Sequence, residues 1–522
     1  MDFDAIIIGS GFGGAVSACR LAEAGYKVLV LERGRRWDKT SYPSVSGKGW
    51  IWNNENPAET NGWLDLRIFE HMAVAQGAAV GGGSLIYANI SAVPPESSFA
   101  RGWPAEITHA GLAPYYETVG EVMNVQTVPD NQWPLRTRML KEAAEAIGAG
   151  DRFRKLDLAV SFDPGWTYEQ DEPGDAAKSK PFLNAQGVPQ GTCMHCGNCD
   201  IGCPVDARNT LNLNYLALAQ ANGAEIRPLH LVTSISEAVG GWRVTYDRLD
   251  NGVTSSETAR LVIVAGGSLN STELLLRCRD VLRTLPKLSR RLGMGWSSNG
   301  DFLTPAIYPG RKLQPSQGPT ITSAIDFLDR SVERESFWIE DGGWPDLLVD
   351  ALRRRASAVG WLGRLLAWFR KEIETRGPLD EIMPWFAQGV DAGNGVLRLR
   401  RRWWLFGPWK LCLDWKIAES EGLIDTIVAM HKKLSTATGG IPVVPPTWTA
   451  AKYLVTPHPL GGCNMGASAA DGVVDHKGEL FGYKNLFVLD GAIVPEAVGV
   501  NPSRTIAALA ERAIGIIISE RR

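Results

Sequence analysis

Long hydrophobic runs are missing from this sequence. No stretch of eighteen or more uninterrupted apolar residues occurs in its 522 positions, so a transmembrane helix has no support. An excess of either charge is also missing: 54 Lys and Arg stand against 57 Asp and Glu, a formal net charge of -3, and no nucleic acid partner is expected. Repeats and low-complexity tracts are absent, the 56 Gly and 30 Pro being scattered through turns and short motifs. The first apolar run, Ala5 to Ile8, leads straight into a glycine motif and leaves no room for a secretory leader, which makes a cytoplasmic setting the default expectation. Cysteines are few and uneven. Four of the eight fall within positions 193 to 203 while Cys19, Cys278, Cys412 and Cys463 lie far apart, which suits a metal or redox site better than a disulfide framework. The chain is too long for one compact core, and two joined domains with a cleft between them are expected.

Residues 4 to 8, "DAIII", read as a buried strand, followed by "GSGFGG" and an amphipathic helix from about Ala15 to Glu23. Gly9 permits a tight turn, Gly11 lets backbone approach a pyrophosphate, and Gly14 lets helix and strand pack closely, with Gly13 in the same run. The helix N-terminus adds unpaired N–H groups and partial positive charge. A second strand, Lys27 to Leu31, ends at Glu32, whose carboxylate can accept hydrogen bonds from both ribose hydroxyls of an adenosine and would repel a 2'-phosphate. "ARLVIVAGGSLNSTELLL", Ala259 to Leu276, reads as a strand returning to the same sheet, with Gly266 in its glycine turn. The pattern mildly favours a flavin over a nicotinamide.

Five segments in order, "GSGFGGAVSACRLAEAGYKVLVLERG", "GAAVGGGSLIYAN", "VIVAGGSLNSTELLL", "HPLGGCNMG" and "LFVLDGAIVPEAVGVNPSRTIAALAER", resemble the glucose-methanol-choline (GMC) oxidoreductases, and within them the bacterial cholesterol-oxidase-like branch. The resemblance runs along most of the chain. It implies an α/β fold with a discontinuous Rossmann-like FAD-binding domain, assigned to 1–45, 222–300 and 455–522. A substrate domain, 46–221 and 301–454, would cover the flavin with a β-sheet and include the cysteine segment 193–203. On the same resemblance Gly81, Gly82, Gly83 and Ser84 bring backbone N–H groups to the isoalloxazine and pyrophosphate, and Asn89 reaches the ring edge. Asp490 and Gly491 close over the ribityl and phosphate region, and Asn501 with Pro502 lies beside the cofactor. His458 in "TPHPLGG" and Asn501 in "GVNPSRT" match the family's catalytic positions. Alcohol oxidation needs a hydroxyl proton accepted as hydride leaves carbon, which a neutral imidazole suits, and an asparagine amide can orient the substrate oxygen. "FWIEDGG" puts Glu340 near the place of a carboxylate that moves steroid ring protons in cholesterol-oxidase-like members, the alternative being a surface glutamate.

Cys193, Cys196, Cys199 and Cys203 have the spacing C-x2-C-x2-C-x3-C-P, the bacterial ferredoxin run. In two-cluster ferredoxins the fourth cysteine serves the other cluster, so a single iron–sulfur centre held by three of these thiolates, [3Fe-4S], is favoured, with [4Fe-4S] if a fourth completes it. A four-cysteine zinc site and a metal-free loop remain alternatives. A cluster would make the enzyme a dehydrogenase feeding a cytochrome, quinone or other acceptor, whereas oxygen would take the electrons in an oxidase.

Two basic, aromatic stretches stand out: Leu352 to Lys371, and "RLRRRWWLFGPWK" from Arg398 to Lys410. Each suits an interfacial anchor, which would make the protein peripheral at the inner membrane, or else a substrate port, an acceptor-docking surface or ordinary packing within the substrate domain. Taken together, the sequence points to FAD-dependent oxidation of a bulky apolar alcohol such as a steroid or a polycyclic or aromatic alcohol. The alternatives are an O2-using oxidase, an FAD sugar dehydrogenase, and an electron-transfer or membrane-docking component without catalysis.

Overall fold

The computed structural model describes residues 1–42, 48–345, 379–401 and 407–521. The first apolar run forms the strand Phe3–Ile8, buried along its length except at Asp4, as befits a central parallel strand covered on both faces. It pairs in parallel with Val28–Leu31 on one side and Thr254–Val264 on the other, placing Ala5 opposite both Val28 and Leu261. Glu225–Arg227 extends the sheet beyond Val28–Leu31, and the antiparallel strands Gly241–Arg248 and His230–Ala238 extend the other side. The long strand Thr254–Val264 serves two partners in turn. Its first half pairs antiparallel with Gly241–Arg248, and its last three residues pair in parallel with Leu486–Val488. Three widely separated stretches of chain thus share one seven-stranded sheet.

The first helix runs Phe12–Glu23 rather than from Ala15, because Gly11 is the extended residue before it and both glycines of "FGG" enter the first turn. It packs against the C-terminal helix Ser503–Ser519 and the short helix Tyr215–Ala221. Arg20 pairs with Glu511 at 2.8 Å, and the Tyr215 hydroxyl donates to the same carboxylate at 2.7 Å. Tyr215–Ala221 falls inside the 46–221 span expected for the substrate domain, yet its buried residues Tyr215, Leu216 and Ala219 belong to a helix packed on the nucleotide-binding fold.

A second, six-stranded sheet is antiparallel throughout, in the order Ile441–Pro442, Phe302–Ile307, Ile382–Gly389, Glu335–Asp341, Ser323–Val332, Phe153–Lys155. The helices Leu135–Ala146 and Glu421–Ala437 pack on this sheet. Thr137 of the first of these helices donates to Asp341 at 2.8 Å, so by the two-residue period Phe337, Ile339 and Asp341 face the helices while Trp338 and Glu340 face away, toward the nucleotide-binding domain.

The basic stretch from Arg398 begins in the strand Gly395–Arg401 and resumes in Trp409–Asp414, its antiparallel partner. Arg400 pairs with Asp414 at 2.7 Å, Arg401 lies over the Trp409 ring at 4.8 Å, and Lys410 pairs with Glu55. The described part of this stretch is therefore a charge-paired hairpin. The basic, aromatic stretch 352–371 lies outside the described residues, as do Trp403 and Trp404. Among the described residues no helix is long and apolar enough to cross a membrane.

Candidate active site

The glycine turn after Phe3–Ile8 is built by close backbone approach. A Cβ on Gly9 would overlap the Ala265 carbonyl, one on Gly13 the Leu489 carbonyl, and one on Gly14 the Gly9 carbonyl. Gly11 is different: nothing lies within 4 Å of its Cβ position, which opens onto free space in front of the helix N-terminus. A second turn, Gly81 to Leu85, backs onto the first, a Gly82 Cβ standing 2.7 Å from the Gly11 Cα; Gly81 and Gly82 both have positive φ. Gly83 faces open space. Glu32 joins the two turns through Ser10, accepting from the Ser10 N–H at 3.0 Å and hydroxyl at 2.6 Å, while the Gly81 N–H donates to the Ser10 oxygen at 3.0 Å. Gly34 N–H donates to the other Glu32 oxygen at 2.8 Å. The carboxylate is fixed at the strand end with lone pairs to spare for ribose hydroxyls. Two expected outcomes separate packing from cofactor contact. Gly11→Ala folds with wild-type thermal stability but retains less flavin per polypeptide on gel filtration, whereas Gly13→Ala, forced against backbone, loses at least 1–3 kcal/mol of stability.

Asn89 has a left-handed backbone, φ 66, and both its amide oxygen and nitrogen are buried without a hydrogen-bond partner. Such orphaned groups are costly unless a ligand satisfies them, and a flavin ring edge offers both donor and acceptor. Gly267 also opens onto free space. The Asp490 carboxylate is spent inside the protein, accepting from Gly267 N–H at 2.8 Å, the Ser271 hydroxyl at 2.5 Å and Ala492 N–H at 2.7 Å. It shapes the Gly266–Gly267 and Gly491 turns, and Pro502 starts the last helix. Open space before glycine amides, an acidic residue at the strand end and a buried unsatisfied amide fit a flavin dinucleotide.

His458 and Asn501 are brought together, Asn501 Nδ2 lying 3.5 Å from His458 Nε2, with Asn501 Oδ1 buried and unpartnered. The other ring nitrogen, Nδ1, stands 2.9 and 3.0 Å from the two carboxylate oxygens of Asp301. Asp301 is completely buried, also accepts the Thr456 hydroxyl at 2.5 Å, and was not singled out from the sequence. Burial pushes the Asp301 carboxyl up from its ordinary value, while the imidazole and the Thr456 hydroxyl pull it back. With the carboxylate accepting at Nδ1, the Nε2 lone pair is free and faces Asn501. The neighbouring Asn299 fixes Asn501's approach: its Oδ1 accepts from Val498 N–H at 3.1 Å and Gly499 N–H at 3.0 Å, and its Nδ2 donates to the Val500 carbonyl at 2.9 Å. The run Ser297 to Asp301 therefore organises both functional side chains.

Glu340 is not on the surface. It is fully buried on the sheet face opposite Asp341, directly across from Phe386, whose ring centre is 6.4 Å from that of His458. One of its oxygens receives Gln388 Nε2 at 3.3 Å and the other has no partner. Burial, then Asp301 and Asp341, drive its carboxyl well above the usual range, which favours the neutral acid. Because the native state holds this proton where the unfolded chain releases it, stability falls as pH rises from the ordinary glutamate value toward the raised one, by up to about 1.4 kcal/mol per pH unit. Glu340→Gln removes that slope, so its melting temperature gains on wild type from pH 5 to pH 8; parallel curves would contradict the neutral-acid assignment.

The four clustered cysteines are free thiols that line one small cavity together with Val160, Val205, Ala207 and Arg208. Two of the sulfurs have a backbone amide donor: His195 N–H reaches Cys193 Sγ at 3.4 Å and Ala207 N–H reaches Cys203 Sγ at 3.1 Å. Burial and mutual repulsion push the Cys196 thiol up to about 12 and the Cys193 thiol well above its ordinary value. His195, within the run, is withheld from the cavity: its ring stacks on Trp166 at 3.9 Å and its nitrogens meet Tyr168 and Gln132, burial lowering its pKa to about 3. No group of three or more His, Cys, Asp or Glu that could hold a single metal ion is present among the described residues.

The family profile described as GMC oxidoreductase matches residues 183–278 and 423–510, and that of an NAD(P)-binding Rossmann-like domain matches 7–37. A cholesterol oxidase of Acinetobacter baumannii is 32% identical over 99% of this chain and 94% of its own length. A cholesterol oxidase of Mycobacterium tuberculosis is 30% identical over 99% of this chain and 91% of its own. Among solved structures, pyridoxine 4-oxidase from Mesorbium loti shares the fold with a TM-score of 0.62 at 16% identity, covering 98% of each chain. With the glycine cradle, the acidic strand end and the His–Asn pair on a fold of this kind, the chain belongs to the GMC oxidoreductase family and is an FAD-dependent oxidoreductase acting on CH–OH donors.

Proposed function

We propose that the chain oxidises a bulky, apolar alcohol, a steroid or another polycyclic or aromatic alcohol, and passes the electrons through an iron–sulfur cluster to an external acceptor. The observation that carries the first half is the convergence of His458 Nε2 and Asn501 Nδ2 beneath the sheet face that presents Phe386, Glu340 and Trp338. Bound FAD supplies the hydride acceptor. His458 Nε2 takes the hydroxyl proton, and buried Asp301 stabilises the cation that results while holding the ring in the tautomer that leaves Nε2 bare. Asn501 donates its amide N–H to the same oxygen and sets its position. Gly9, Gly11, Gly13, Gly14, Gly81, Gly82, Gly83, Ser84 and Gly266 are assigned to the dinucleotide, Glu32 to its ribose and Asn89 to the ring edge. Glu340 is assigned the exchange of a proton with an apolar substrate under the roof. The bulky substrate class is supported by the aromatic side chains Phe386 and Trp338 on the sheet face and by the two cholesterol oxidases similar over almost the whole chain.

The cysteine cavity supports the second half. Four cysteines around one space, with amide N–H donors on Cys193 and Cys203, suit a four-thiolate [4Fe-4S] centre better than the three-ligand form, since Cys203 lines the same cavity as the others. A short path joins it to the flavin side: Cys193 N–H donates to the Ser161 carbonyl and Ala159 N–H to the Asn89 carbonyl, both at 2.8 Å, with only Val160 between. Iron and acid-labile sulfide assays on protein purified anaerobically test this, with about four of each per chain expected. Oxygen uptake measured beside dye reduction on the same substrate is expected to favour the dye; a faster reaction with oxygen, in iron-free protein, supports the oxidase reading instead.

A further inference from the structure

Arg208 is 2% exposed, and its Nε and Nη1 are buried without any hydrogen-bond partner. It lines the cavity that the four cysteines share. Among the described residues no carboxylate makes an ion pair with it: Asp206 pairs with Lys39 at 3.7 Å, and the buried Asp200 carboxyl feels the guanidinium's charge without an ion-pair contact. A buried guanidinium with two nitrogens that meet no acceptor is expensive even with a carboxyl nearby, and such a group is retained where an anion contacts it. Its one protein hydrogen bond runs the other way, from Nη2 to the Ser84 carbonyl at 2.9 Å, in the Gly81 to Leu85 turn. Its guanidinium also lies 5.9 Å from the ring centre of Tyr87, which packs on Phe12 beside the glycine motif. Around it, Ile201 of the cysteine loop and Leu85 of the turn share one apolar cluster with Trp50 and Trp63.

We propose that Arg208 is the counter-charge of an anionic centre held by Cys193, Cys196, Cys199 and Cys203, and that it ties this centre to the flavin-binding turn. The inference rests on the cluster reading above and assigns a positioning and potential-setting role to a residue that touches both sites. Four thiolates give the centre a net negative charge, and adding an electron makes it more negative. A fixed cation nearby eases that step, so Arg208 raises the centre's reduction potential and favours electron uptake from the flavin side.

The test is an EPR-monitored redox titration of purified wild-type, Arg208→Lys and Arg208→Gln protein, with iron and sulfide measured on each. Arg208→Gln is expected to take up an electron about tenfold less favourably, a shift of about 59 mV downward. Arg208→Lys restores at least half of it. Wild-type protein without iron and sulfide ends the cluster reading. Wild-type iron with the same potential in all three proteins ends the Arg208 inference and leaves the cluster standing. If Arg208→Gln does not fold, wild-type protein labelled with 15N-arginine decides the matter by ENDOR: nitrogen coupling to the reduced centre is expected, and its absence overturns the role.

Discussion

His458→Ala is expected to lower alcohol turnover by about 10²–10⁴-fold while leaving the flavin absorbance per polypeptide at its wild-type value. Nε2 faces Asn501, and the ring is held from behind by Asp301 and from the chain by His458 N–H bonded to the Thr456 hydroxyl at 2.9 Å. Removing the imidazole deletes the proton acceptor and leaves the glycine cradle, Glu32 and Asn89 in place. A partial rescue by added imidazole, rising with pH through the imidazole range, is the accompanying signature, because only the neutral base accepts a proton. Anaerobic stopped-flow flavin reduction reads both quantities on one sample.

Asp301→Asn has the second large effect. The amide keeps the shape and offers an N–H where the carboxylate offered a lone pair, so Nδ1 is invited to accept and the proton moves to Nε2, the wrong tautomer for a base. It also withdraws the negative charge that stabilises the protonated ring in a fully buried site. A loss of about 10²–10³-fold in flavin reduction is expected, with substrate binding changed much less, and with the rate climbing at high pH where solvent base substitutes. Equal loss in binding and reduction would instead mark Asp301 as scaffold for the 297–301 run. Thr456→Val, which removes the hydroxyl donor to Asp301, serves as the milder comparison, since it leaves the carboxylate in place.

The two halves of the molecule differ in how much of them is written locally. The strand, glycine turn and helix from Phe3 to Glu23 can be read off because their signals are contiguous: an apolar run, glycines at fixed offsets and a 3.6-residue period. Only the helix start moved, from Ala15 to Phe12. The cysteine run was equally legible as a spacing, but that all four sulfurs line one cavity depends on Gly318 and Thr320 folding against it from over a hundred residues away. Asp301 was invisible for the same reason. "SSNGD" reads as a polar turn, and nothing within it announces an imidazole 157 residues later. Glu340, matched from "FWIEDGG" to a family carboxylate with a surface glutamate as the alternative, is buried because its sheet is covered on one face by helices and on the other by the nucleotide-binding domain, a packing that the local sequence does not spell out. Ser10, sitting between two glycines, carried no signal beyond being small, yet it is the link between Glu32 and the Gly81 turn.

The most direct check on the central claim is anaerobic titration of the purified yellow protein with a panel of steroid, polycyclic and aromatic alcohols, followed by the flavin absorbance and by carbonyl product. Bleaching of the flavin with one carbonyl formed per flavin reduced, abolished on the same time scale in His458→Ala, is the predicted result. A flavin that stays oxidised across the panel, or that bleaches as fast without the imidazole, contradicts it.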